Sequence, residues 1–73
     1  MKLKLKEKQP MFREKLGSDP VWFEAGEEFE VVGTQTMKHD NRDWFKVKSK
    51  WFNKQMKGIH NPDNFEIIDN DAP

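Results

Sequence analysis

The 73-residue sequence contains no cysteine, which excludes a disulfide frame and a thiolate metal site. Glycine is scarce and scattered, at Gly17, Gly26, Gly33 and Gly58, so no glycine-rich loop exists to cradle a phosphate. No apolar run reaches the roughly 18 residues of a membrane-spanning helix, and the lysine-rich start lacks the apolar core of a secretory signal. A cytoplasmic protein without membrane attachment is the expectation. Histidine occurs only as His39 and His60, far apart and without ligand spacing, so no metal site is expected. Ser18 and Ser49 have no nucleophile elbow around them. No enzyme activity, catalytic residue or cofactor is expected.

Aromatic and charged residues are plentiful. Three Trp and six Phe supply much of the area a chain this short can bury. The net charge is zero, but it comes in blocks: residues 1–18 hold six bases and two acids, residues 19–33 five acids and no base, residues 34–60 seven bases and two acids, and residues 61–73 four acids and no base. Such blocks either pair across strands or form separate faces of opposite sign.

Residues 1–6 alternate lysine with Leu3 and Leu5, the period of a half-buried strand. Outward lysines suit an edge strand, where they discourage pairing with another chain. Residues 7–18 lose the alternation at Pro10 and read as a long irregular loop, with Phe12 and Leu16 tucking onto the core. A short extended run over residues 21–23 precedes a turn in which Gly26 supplies a positive φ. Residues 28–32 alternate again, Gly33 allows a bend or bulge, and residues 34–37 extend the strand to a polar hairpin turn over residues 38–42. Over residues 44–48, Phe45 and Val47 face one way, while Trp44, Lys46 and Lys48 face the other. Residues 51–59 read as a further strand, Asn61-Pro62-Asp63-Asn64 as a 3₁₀ turn, and residues 65–68 as the closing strand. The expected fold is all-β, a five-stranded antiparallel barrel. Residues 1–68 form one domain, and residues 69–73 an acidic tail.

The order of these pieces resembles an SH3-like (Src-homology-3-type) domain. The family runs Asp-Leu-Ser-Phe-x-x-Gly-Asp/Glu-x-Leu-x-Val through its diverging turn. In the same register this chain has Asp19, Phe23, Gly26, Glu27, Phe29 and Val31. The family's Trp-Trp/Phe-x-Ala/Val strand is matched by Trp44-Phe45-Lys46-Val47, and its final Gly-hydrophobic-x-Pro-x-Asn-Tyr-Val by residues 58–67. The likeness covers residues 19–68. In place of the family's Ala-Leu-Tyr-Asp-Tyr motif, residues 3–7 contain no aromatic, and the chain has no tyrosine. Of the proline-peptide groove, the resemblance therefore carries over only Trp44, Pro62, Asn64 and Phe65.

Two functional readings follow. The first is a protein-binding module, an adaptor or inhibitor. It would use Trp44, Pro62, Asn64 and Phe65, with Glu27 and Glu28 of the acidic turn meeting a basic residue of the partner, as the resemblance implies. In size the chain resembles small accessory proteins of phages and mobile elements that bind host machinery. The second is a nucleic-acid-binding barrel. Lys46, Lys48, Lys50, Lys54 and Lys57, with Lys2, Lys4 and Lys6 of the first strand, would contact phosphates, and Trp51 would stack on bases.

Overall fold

The computed structural model describes residues 1–13 and 19–69. These form seven strands: β1 (Lys2–Leu5), β2 (Gln9–Met11), β3 (Val21–Phe23), β4 (Glu28–Met37), β5 (Arg42–Ser49), β6 (Lys54–Gln55) and β7 (Phe65–Asp69), with a 3₁₀ turn at Pro62–Asn64. One five-stranded antiparallel sheet has the order β6-β5-β4-β1-β7, and β2 pairs with β3 in a second, two-stranded sheet. The fold is all-β. No helix among the described residues is long and apolar enough to cross a membrane.

The larger sheet does not close into the expected barrel, because β6 and β7 end it without pairing to each other. The cause lies in residues 51–59. Residues 51–53 are a turn instead of a strand start, with Asn53 at φ 56° and Gly58 at φ 84°. Only Lys54 and Gln55 remain to ladder with β5. Beyond them the chain follows β5 irregularly: Met56 donates its amide to Val47, Lys57 donates to the Phe12 carbonyl at 2.7 Å, and His60 forms an isolated bridge to Phe45.

Strand β1 is central rather than peripheral. It lies between β4 and β7, and its lysines stand beside acids on both sides: Lys2 opposite Glu30 and Asp69, Lys4 opposite Glu28 and Glu66. Cross-strand opposite charges stabilise such pairs, so the acids of β4 and β7 make the lysine–leucine strand an interior one with a charged outer face. Asp69 thereby belongs to β7 instead of the tail. Part of the supposed irregular loop is regular too. Gln9, Pro10 and Met11 pair with Phe23, Trp22 and Val21, and the core anchor there is Met11, 1% exposed, with Phe12 only half-buried. Leu16 and residues 70–73 lie outside the described residues.

The core consists of Leu3, Leu5, Met11, Phe23, Phe29, Phe45, Val47, Met56 and Phe65, with Val21, Val31 and Phe52 packed against it. Its rings meet edge to face, the geometry their quadrupoles favour. Phe23 and Phe29 lie 5.0 Å apart between centroids, Phe29 and Phe65 5.7 Å, and Phe45 and Phe65 6.5 Å. The ten-residue β4 serves both β1 and β5 by bulging. Val31 faces Val47 and Gly33 faces Lys46, which leaves Val32 without a partner and turned to solvent. An extra residue of this kind bends a strand. Gly26, at φ +96°, makes the turn before β4, and its amide donates to the Leu5 carbonyl at 2.8 Å.

Candidate functional site

Trp44 sits near the start of β5, where strand parity sends Phe45 and Val47 inward and Trp44, Lys46 and Lys48 to the outer face, each half-buried. Its indole Nε1 donates to Asp40 Oδ2 at 2.8 Å, and the His39 ring meets it edge-on at 5.1 Å. Both partners come from its own hairpin turn. That turn closes with Asn41 at φ 55°, a left-handed conformation asparagine tolerates.

Asp40 is the hub of this turn. It also accepts from the Arg42 backbone amide at 3.2 Å and from the Arg42 guanidinium at 3.3 Å. The Trp44 bond, foremost, and the Arg42 bonds hold its carboxyl below the ordinary range despite partial desolvation. Arg42 reaches onward to Asp63 with both terminal nitrogens, at 2.9 and 3.0 Å. This bidentate pair lowers the Asp63 pKa and raises that of Arg42. The 3₁₀ turn is thus drawn against the hairpin. Asn61 caps that turn by accepting from the Asp63 amide through Oδ1 at 2.9 Å, with Pro62 in the first turn.

The residues expected for protein binding do not all meet. Trp44, Pro62 and Asn64 are half-exposed, and Asn64 anchors the turn by accepting the Lys6 amide at 2.9 Å. Phe65 is 4% exposed and belongs to the core. It faces Leu5 across the β1–β7 ladder, so it offers a partner nothing. Glu27 and Glu28 lie in another depression, together with Gly26, Lys50 and Trp51.

The basic residues also divide. Lys48 is opposite Glu30, and Lys50 Nζ lies 3.5 Å from Glu28 Oε1. A cavity of about 210 Å³ collects these with Lys2, so three lysines there share two glutamates. Trp51 is 65% exposed and leans on Phe23 and Phe52 beside Glu27 and Glu28. Lys46 and Lys54 instead line a separate groove of about 470 Å³ with Arg13, Gln55, Met56, Lys57, Gly58 and Ile59. Lys46 faces Gly33, and Lys54 faces Ser49; neither neighbour carries a charge.

Sequence reasoning missed Arg13 as a member of this groove and grouped Lys57 with Lys46 and Lys54 without separating them from Lys48 and Lys50. The Lys57 amide bond to the Phe12 carbonyl joins segments 45 residues apart, a pairing with no local signal. It also missed the Asp40–Arg42–Asp63 link. Among the described residues, no group of three or more His, Asp or Glu is placed to hold a metal. His60 donates Nε2–H to the Lys57 carbonyl at 3.1 Å, and burial pushes its pKa below the ordinary value. Compared with known proteins, the chain matches no family model, no curated protein and no solved structure.

Proposed function

We propose that this chain is a non-enzymatic protein-binding module of SH3-like arrangement, an adaptor or inhibitor that engages its partner through Trp44 and the adjoining Pro62–Asn64 turn. The strand succession supports the SH3-like reading: a first strand between the long β4 and the last strand, an accessory hairpin in the long first loop, and a 3₁₀ turn before β7. The open sheet departs from a closed barrel at β6.

The observation that carries the function is the immobilised Trp44. Its indole is held by Asp40 and His39 while part of the ring remains accessible on the outer face of β5. A pre-oriented aromatic loses little side-chain freedom on binding, which makes it an efficient anchor. The Arg42–Asp63 pair sets the Pro62 turn beside the same hairpin. A partner therefore meets a surface already shaped.

The test is affinity capture with the full chain and with Trp44→Ala as parallel baits, after nuclease treatment, with melting curves recorded for both. Proteins retained by the parent and lost by the folded variant support the reading. An identical retained set from both baits refutes it.

A further inference from the structure

We propose that the groove between Arg13, Lys46, Lys54 and Lys57 receives an acidic, extended peptide segment of the protein partner. This rests on the protein-binding reading above and names the chemistry of the segment that continues from the Trp44 anchor. Trp44 and Lys46 are two residues apart on one face of β5, about 7 Å along a strand. One extended chain can therefore touch both.

The groove differs from the rest of the basic surface in what stands opposite its lysines. On β1, Lys2 and Lys4 stand between acids of both neighbouring strands. On β5, Lys48 faces Glu30, and Lys50 pairs with Glu28. In the groove, no acidic side chain among the described residues contributes to the lining. No carboxylate among them lies within ion-pairing distance of Arg13, Lys46, Lys54 or Lys57. Four cations gathered with no acid among the described residues beside them repel one another, and an anionic occupant relieves that repulsion.

The lining favours a peptide over a nucleic-acid strand. Its accessible apolar member is Ile59, half-buried, which suits an aliphatic side chain of an acidic segment, while Met56 is fully buried and floors the groove from the core. Among the described residues its lining holds no aromatic ring on which a base could stack. The nearby Phe52 ring is already covered by the Arg13 guanidinium at 5.7 Å. Strand β6 also ends the sheet, and an exposed sheet edge is where extended peptides dock.

The experiment titrates the isotope-labelled 73-residue chain with an acidic peptide of about 12 residues, rich in Glu and Asp with interspersed leucines, and in parallel with an oligothymidine of about 12 nucleotides. Amide shifts are followed at low and moderate salt. Peptide-induced shifts should concentrate at Arg13, Lys46 and residues 54–59, and binding should weaken as salt rises. The triple variant Lys46→Glu, Lys54→Glu, Lys57→Glu should bind about tenfold or more weakly. Lys48→Gln with Lys50→Gln should change affinity by less than about twofold, since those lysines lie outside the groove, beside Glu30 and Glu28. If the triple variant does not fold, Lys57→Gln alone serves and should still weaken binding. Tighter binding of oligothymidine with the same dependence on the triple variant would overturn the peptide assignment in favour of a nucleic-acid strand. Absence of binding by either probe, or binding indifferent to the groove variants, would overturn the groove itself. Retention of Trp44-dependent partners by the triple variant would remove the groove assignment and leave the module reading standing. Partners that ignore Trp44 but require the groove would do the reverse.

Discussion

Arg42 and Asp63 are 21 residues apart and joined by two parallel N–H···O bonds of 2.9 and 3.0 Å, with Arg42 also bonded to Asp40. This pair fastens the β4–β5 hairpin to the 3₁₀ turn, and both carboxyls titrate below the ordinary 3.8. Carboxyls with depressed folded values contribute stability above the unfolded value, and that contribution is lost as pH falls through the folded values. Stability should therefore decline as pH drops below about 3.8, and Asp63→Asn should flatten the decline. Urea denaturation at several pH values measures this. Because Arg42 and Asp63 are largely exposed, added salt should erode their coupling in a double-mutant cycle.

His60 acts in a higher window. Burial favours its neutral form and lowers its pKa below 6.5. The unfolded chain then takes up the proton first. Stability from this group is complete above pH 6.5 and is lost as pH falls below it toward the folded value. Thermal melts should show a decline beginning near pH 6.5, and His60→Gln should remove that upper step.

Trp44→Phe should keep most of the ring packing while losing the bond to Asp40, so the Asp40 pKa should move back toward 3.8, as carboxyl carbon NMR would detect. Trp44→Ala should destabilise the domain by about 1–2 kcal/mol, less than a fully buried aromatic would, and leave it folded. Phe23→Ala should cost about 3–5 kcal/mol, because Phe23 is fully buried and touches Phe29, Trp51 and Phe52. For a chain this short that approaches the whole stability, and loss of the near-ultraviolet circular dichroism signal would report it.

Two backbone substitutions should act in opposite directions. A Cβ at Gly26 meets open space, yet its φ of +96° should make Gly26→Ala destabilising by about 1–2 kcal/mol. Asn41 and Asn53 occupy left-handed conformations with side chains present, so Asn41→Gly should be neutral or stabilising by a few tenths of a kcal/mol. Melting temperatures of the three chains settle the order.

Much of the sheet was legible because alternation reports which face a side chain takes. Leu3 and Leu5 inward, Phe45 and Val47 inward, the Gly33 bulge and the Gly26 turn all follow from local chemistry. Alternation does not report neighbours, so β1 read as an edge when acids of two strands in fact flank its lysines. Residues 51–59 carry apolar side chains at strand-like intervals, but the left-handed Asn53 interrupts them, and no rule of period two detects that. Phe65 read as a surface residue through a family likeness; its cross-strand partner Leu5 takes it into the core. At the site, Trp44 was legible from parity. Arg13 was not, and Lys57 was legible only as one lysine of a basic run, since a single backbone hydrogen bond from Lys57 to Phe12 brings the two distant segments together.

The central position of β1 has a consequence for how the chain is made. Of these seven strands β1 is made before any other and its partner β7 after all of them, so Leu3 and Leu5 lack a neighbour on one side until residues 65–69 are in place. The β4–β5 hairpin, built from neighbours in sequence, can form meanwhile, but the ladder joining residues 2–5 to 65–69 cannot. Closure of such distant pairs is slow, and a nascent chain halted before Phe65 lacks both one wall of β1 and a core ring. The alternating lysines then serve a second purpose, keeping that waiting strand from pairing with another copy of itself.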